Sequence, residues 1–286
     1  MAILNYATRD VLWVRPHDSI DKAISLMEER GIHHLPVVRD GQVVGILSDR
    51  DILLAVGWRL SSERRADDGP NAPVLGPREV EEIMTHPVES LDPNESLLHA
   101  VHVLVRLRIG ALPVLRDGVL MGILSETDVL RSLKKEHAHL SVRHLLGRPL
   151  REMMTANLTT VGPKTNISQV LAIFRSHRIR HLPVTSDGDL IGIISDRDVR
   201  RALGVSTIMD AAAQEKGKLY EGPQTAIEIM TRCVQCAPLD ATLGDAIDLL
   251  LENHIHCLPV VDHGRLVGIF TATDVMNAVS RSEVLA

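Results

Sequence analysis

A chain of 286 residues with 31 Lys and Arg against 37 Asp and Glu carries a formal charge of −6 with histidine neutral. That balance excludes the concentrated basic face that nucleic acid or an anionic membrane surface requires. Two Phe, two Tyr and two Trp leave almost nothing to stack on bases, so an aromatic ligand would have to sit between aliphatic side chains.

Cys233, Cys236 and Cys257 do not form a disulfide framework, and a reduced compartment is expected. The opening MAILNYATRD reaches Arg9 and Asp10 too early for a secretory signal. No uncharged run approaches the roughly 20 apolar residues that cross a bilayer. The expectation is a soluble, cytoplasmic protein with no membrane and no nucleic-acid partner.

Self-similarity decides the architecture. Leu-Pro-Val recurs at Leu35, Leu112, Leu182 and Leu258, in steps of 77, 70 and 76 residues. In chain order the four stretches read LPVVRDGQVVGILSDRD, LPVLRDGVLMGILSETD, LPVTSDGDLIGIISDRD and LPVVDHGRLVGIFTATD. In the first copy Thr8 stands behind Ala7, where Thr85, Thr155 and Thr231 of the later copies each follow a methionine. Ile20, Ala23, Ile24 and Met27 then form an amphipathic stripe at helical spacing.

The third copy displays the unit most fully. Met154-Thr155 leads to a strand expected at Leu158 to Val161, which Pro163 ends, and Asn166 is placed to cap a helix. Ile167, Val170, Leu171 and Phe174 line that helix on one face. A strand from Leu182, an Asp187-Gly188 turn and a strand from Leu190 to Ile194 follow, and Ser195 starts a second helix. Leu243, Ala246, Ile247 and Leu250 make the stripe of the fourth copy. The unit is therefore β-α-β-β-α. Its two helices cover one face of a three-stranded sheet, and the other face needs a partner.

A longer period identifies that partner. Copies one and three end in SDRD, whereas two and four end in SETD and TATD, and similar inserts ending in Gly76-Pro77 and Gly222-Pro223 join one to two and three to four. A pair has been duplicated. The expected division is a first repeat at 1–56, an insert at 57–78 and a second repeat at 79–134. A linker at 135–147, a third repeat at 148–203, an insert at 204–225 and a fourth repeat at 226–280 follow. The modules are then 1–134 and 148–280.

The Met-Thr lead, the HLPV-type strand, the DG turn and the G-I-x-[ST]-x-x-D ending resemble the cystathionine-β-synthase (CBS) repeat, two of which make a Bateman module. The resemblance spans about 220 residues and departs in one place, the missing methionine of copy one. It implies an α/β fold of paired repeats, probed by ligand in clefts between sheets and often packed as a disk. It implies a regulatory role, with an adenine nucleotide (AMP, ADP or ATP) as ligand rather than catalytic cofactor.

Four sites follow: Ser48 with Asp51, Ser125 with Asp128, Ser195 with Asp198, and Thr271 with Asp274. Each opens a helix after a strand, where unpaired N–H groups and the positive end of the dipole suit a phosphate. The aspartate can accept from a ribose diol, as acids of dinucleotide folds do, and the resemblance assigns the two positions those roles. The same spacing is also a capping box that satisfies its own backbone and binds nothing. The two readings are compatible. Arg50 and Arg197 stand beside the site aspartates and suit further phosphates, whereas copy two has Glu126 and no arginine.

His34 and His181 precede Leu-Pro-Val, as half-buried strand residues or as ligand or pH-sensing contacts. Cys233-Val-Gln-Cys236 lacks the second pair that a zinc site needs, so core cysteine is the reading and no metal is expected. The basic stretch from Lys134 to Arg151 reads as a solvated linker. No catalytic constellation stands out. The expected protein is a stand-alone sensor that binds an adenosine-containing small molecule and signals to a separate effector protein. Homodimerisation through module packing is open, and the alternative is a ligand-free scaffold.

Overall fold

A computed structural model describes residues 3–61, 77–136, 139–177, 179–202 and 223–282, with side chains described only to 55 in the first stretch. The inserts expected at 57–78 and 204–225 lie largely outside these residues. Each repeat opens with a single turn, at Ile3–Asn5, Val80–Glu82 and Leu150–Glu152 as 3-10 turns and at Ala226–Ile229 as the short helix α8. First helices follow: α1 (Ile20–Arg30), α3 (Leu97–Leu107), α6 (Ile167–His177) and α9 (Leu243–Glu252).

Side-chain caps start all four, including the one expected at Asn166. Ser19, Ser96 and Thr242 accept through their hydroxyls from Lys22, His99 and Asp245 N–H, and Asn166 Oδ1 accepts from Ser168 N–H. The stripes Ile20, Ala23 and Met27, Ile167 to Phe174, and Leu243 to Leu250 are buried.

Four hairpins come next: β1 (His34–Arg39) with β2 (Gln42–Ser48), β3 (Ala111–Arg116) with β4 (Val119–Ser125), β5 (His181–Ser186) with β6 (Asp189–Ser195), and β8 (Cys257–Asp262) with β9 (Arg265–Thr271). Their turns need positive φ at two successive residues, met by Asp40-Gly41, Asp117-Gly118, Asp187-Gly188 and His263-Gly264. Each hairpin leads into a second helix: α2 (Asp49–Ser61), α4 (Glu126–Lys135), α7 (Asp196–Ala202) and α10 (Ala272–Ser282). The helix α5 (Leu140–Leu146) lies between the modules in sequence.

The first strand of each unit is shorter than expected. Val14, Leu91 and Val161 make single parallel bridges to Val37, Val114 and Val184, and only the fourth repeat has a strand there, β7 (Ala237–Pro238). The proline of Leu-Pro-Val, present in every copy, stops the ladder on its upstream side. Val161 N–H donates to Pro183 O at 3.1 Å and Val161 O accepts from Thr185 N–H at 2.9 Å. The next rung upstream would need an N–H from Pro183, which has none.

Repeats pair by exchanging leaders. Thr8 bridges Ile123 and Thr85 bridges Ile46, so the first and second repeats each lay their lead on the other's third strand. Thr155 bridges Ile269 and Thr231 bridges Ile193 in the same way. Glycine is required beneath each lead. A Cβ on Gly192 would lie 2.8 Å from Met230 Cγ and 3.0 Å from Thr231 O, and one on Gly45 3.1 Å from Met84 Cγ. Ala7 takes the methionine's place over Gly122. The sheets also touch within each module: Val43 N–H donates to Gly118 O at 3.0 Å. Asp189 pairs with Arg265 to make a five-stranded sheet in the order β5-β6-β9-β8-β7.

The apolar core runs the other way. One cluster joins Met27, Ile52 and Leu53 of the first repeat to Leu171, Phe174 and Val199 of the third. A second joins Leu104, Val129 and Leu133 of the second repeat to Ile247, Val275 and Val279 of the fourth, with Val142 and Leu145 of α5. The two modules therefore meet through their helices within one chain. Each such side chain contributes about 1.5–3 kcal/mol when fully buried, so contact between the modules adds to the stability of every repeat.

Gly192→Ala should destabilise the protein by about 1–3 kcal/mol, because the backbone of the fourth repeat's lead cannot retreat without losing its bridge. Urea unfolding reads this, and an unchanged midpoint would show that the lead is not held against the strand.

Candidate functional site

The four hydroxyl–aspartate pairs all sit where a third strand becomes a second helix. Ser48 Oγ and Ser48 N–H donate to Asp51 Oδ2 at 2.6 and 2.8 Å, and Asp51 N–H donates back to Ser48 Oγ at 3.3 Å. Ser125 with Asp128 and Ser195 with Asp198 repeat the arrangement within 0.2 Å. In the fourth repeat Thr271 N–H and Oγ1 both donate to Asp274 Oδ2 at 2.8 Å. The reciprocal capping box is thus formed in the first three copies and its aspartate half in the fourth, and each aspartate keeps Oδ1 outside these bonds.

Two of the exchanged leads reach these aspartates. Thr85 Oγ1, from the second repeat, donates to Asp51 Oδ1 at 3.4 Å, and Thr155, from the third, hydrogen-bonds Asp274. Each of these sites is built from two repeats. The threonines were visible in the sequence as part of the Met-Thr lead. Their place opposite another repeat's aspartate was not.

Burial raises the carboxyls of Asp51 and Asp274 above their ordinary range, against the hydrogen bonds that oppose it. Ionised, these groups oppose folding, which is the electrostatic character expected of carboxylates kept for a ligand rather than for stability.

His34 pairs with Ser48 and His181 with Ser195 across the hairpins, so each imidazole stands on the same face as its hydroxyl. Desolvation lowers both to about 3, followed by the charge of Arg180 at His34 and by His256 at His181. They are neutral near pH 7 and do not sense physiological pH in this state. Ala111 and Cys257 occupy the matching places in copies two and four. Cys257 is buried, and desolvation raises its thiol well above its ordinary value.

Arg197 does not stay with its own aspartate, whereas Arg50 still acts electrostatically on Asp51. Arg197 crosses to the first repeat, where Nη2 donates to His33 Nε2 at 2.8 Å and Nε lies 3.6 Å from Asp49 Oδ2. Arg50 lines a recess with Phe174, Arg180 and Asp196 of the third repeat and neighbouring apolar residues. A further group therefore gathers where the modules meet, and only the register of the repeats hinted at it. The residue before His34, Ala111, His181 and Cys257 is His33, Gly110, Arg180 or His256. A Cβ on Gly110 would lie 3.0 Å from His34 and 3.4 Å from Arg180, so glycine makes room for both.

Arg180 acts electrostatically on Glu126 and Asp196, although burial outweighs it and raises both acids. The second repeat, which has no arginine in its own motif, thus has one nearby from the third. Thr273 Oγ1 donates to Glu126 Oε1 at 3.1 Å across the same seam. His33 and His256 meet edge to face with ring centres 5.2 Å apart, and desolvation lowers His256 to about 4.

Asp49 differs from the other acids. It is 8% exposed and receives His33 Nδ1 at 2.9 Å, with Arg200 Nη2 3.3 Å from its other oxygen. Those partners hold its carboxyl below the usual range despite burial. Its pKa is lower folded than unfolded, so its stabilisation is complete above the ordinary carboxylate range and is lost as pH falls through the folded value. Asp49→Asn should cost about 3 kcal/mol at pH 7, since Arg200, itself 4% exposed, loses its ionised partner. Urea melts of parent and variant should converge as pH falls through the folded value of Asp49, below the ordinary carboxylate range. A deficit independent of pH would show that the pair contributes packing rather than charge.

A model of the CBS domain matches residues 3–57, 80–135, 150–205 and 226–281. Over 280 residues the chain is 29% identical to the uncharacterized protein MJ1225 of Methanocaldococcus jannaschii, covering 94% of this chain and 95% of that one. The crystal structure of MJ1225, presented as a candidate archaeal homolog of g-AMPK, superposes with a TM-score of 0.79 at 26% identity, over 97% of this chain and 99% of that one. Over 203 residues the chain is 30% identical to human 5'-AMP-activated protein kinase subunit gamma-3, covering 67% of this chain and 40% of that subunit. Among the described residues no helix is long and apolar enough to cross a membrane.

Proposed function

The chain belongs to the CBS-domain family, and we propose that it is a regulatory sensor rather than an enzyme. It binds an adenosine-containing nucleotide of the AMP, ADP or ATP type in clefts between paired repeats. It reports occupancy to a separate effector protein. The likeness to an AMP-activated kinase subunit supports the ligand class.

The observation that carries this reading is the two-repeat construction at the helix starts. Thr85 reaches Asp51 from the paired repeat, and Thr155 reaches Asp274. A nucleotide whose ribose takes the aspartate and whose phosphate takes the helix N-terminus would contact both repeats at once. Ligand that favours one relative orientation of the repeats shifts a pre-existing equilibrium in proportion to its differential affinity. The closed hydrogen bonds between Ser195 and Asp198 favour a second reading, a scaffold whose clefts stay empty.

Asp198→Ala separates the two. Loss of an accepting carboxylate removes charge-assisted bonds worth about 1.5–3 kcal/mol each, so the third repeat's cleft should lose nucleotide binding in calorimetry while the melt stays cooperative. A parent protein whose melting temperature responds to no adenine nucleotide would establish the scaffold instead.

A further inference from the structure

We propose that His33 and Asp49 of the first module are positioning residues for Arg197 of the second, and that they set how strongly the third repeat's cleft distinguishes a polyphosphate from a monophosphate. The inference rests on the nucleotide-sensor reading above and adds a specificity device to it.

Arg197 stands one residue before Asp198 in the first turn of α7, and its side chain leaves that cleft for the opposite module. An arginine only donates, so His33 Nε2 accepts from it and the ring proton sits on Nδ1, donated to Asp49 Oδ2 at 2.9 Å. Asp49 N–H in turn donates to His33 O at 3.2 Å. The imidazole is thereby held from two sides with its acceptor turned to the guanidinium. Arg200 on the same helix supports Asp49 from its other oxygen.

The mirror position is built differently. Asp196 corresponds to Asp49, but the residue before its strand is Arg180 rather than a histidine. No neutral acceptor can occupy the place of His33 there. The latch is specific to one of the two seams between the first and third repeats.

A monophosphate at the start of α7 can use the helix N–H groups and Ser195 alone. A second or third phosphate draws on Arg197, and the guanidinium must then leave His33 and Asp49. Polyphosphate binding in the second module is in this way linked to release of a contact with the first, and by linkage an intact latch weakens that binding by the same factor.

The test is calorimetry of AMP and ATP on the full chain as parent, His33→Ala, Arg197→Ala and the double variant. His33→Phe, which keeps the ring and removes the acceptor, serves if the alanine variant melts without cooperativity. Removing the acceptor should tighten ATP roughly fivefold, as expected for one hydrogen bond freed, and leave AMP unchanged. In the Arg197→Ala background the same change should do nothing, a non-additivity that a merely structural role of His33 would not produce. An unchanged or weakened ATP affinity in His33→Ala overturns the latch, as does an equal effect with and without Arg197. A parent that binds neither nucleotide overturns the sensor reading instead.

Discussion

The structure depends on one close approach, the lead of each repeat lying over the third-strand glycine of its partner. Glycine at 45, 122, 192 and 268 leaves space that a single methyl group would fill. Into it go Met84, Met230, Met154 or, in one case, Ala7. Because the bridging backbone comes from the other repeat, no repeat completes its own sheet edge. The same exchange carries a threonine to the neighbour's aspartate. Folding of the pair and construction of the site are consequences of the same contact.

Two kinds of interaction then run at right angles in the connectivity of the chain. Hydrogen bonds between backbones pair the first repeat with the second and the third with the fourth. Apolar burial pairs the first with the third and the second with the fourth. Directional bonds set the register within a module, and non-directional burial holds the modules together. Their intersection is the polar group around Arg180, Arg197, His33 and Asp49. Charges there are costly unless matched, and the matching partners come from different repeats. A change in one cleft therefore has a physical route to another that needs no long pathway.

The cost of this arrangement is visible in the acids. Asp51, Asp274, Glu126 and Asp196 are all raised by burial, whereas Asp49 beside them is lowered, because it combines a histidine donor with a buried arginine. Four carboxylates that would be more stable neutral are tolerated beside one that anchors the seam. Asp51 and Asp274 nevertheless hold the backbone at their helix starts, accepting from Ser48 and Thr271 N–H.

Much of this was legible in the sequence. The fourfold repeat, the cap at Asn166, the tight turns and the duplicated pair all follow from local chemistry, and the family motif marked the four hydroxyl–aspartate pairs. The first strand was over-read at Leu158 to Val161 because periodicity takes no account of a proline on the neighbouring strand. The crossing of Arg197 to His33 and Asp49 was not legible, because adjacency in sequence says nothing about which way a long side chain crosses an interface. Sequence by itself determined what is local or periodic: the unit, its number and the residues at each helix start. Only the tertiary structure decided which repeat each lead lies on, and which acid each arginine meets. Those choices depend on contacts between segments tens of residues apart, whose partners share no spacing that a single chain can display.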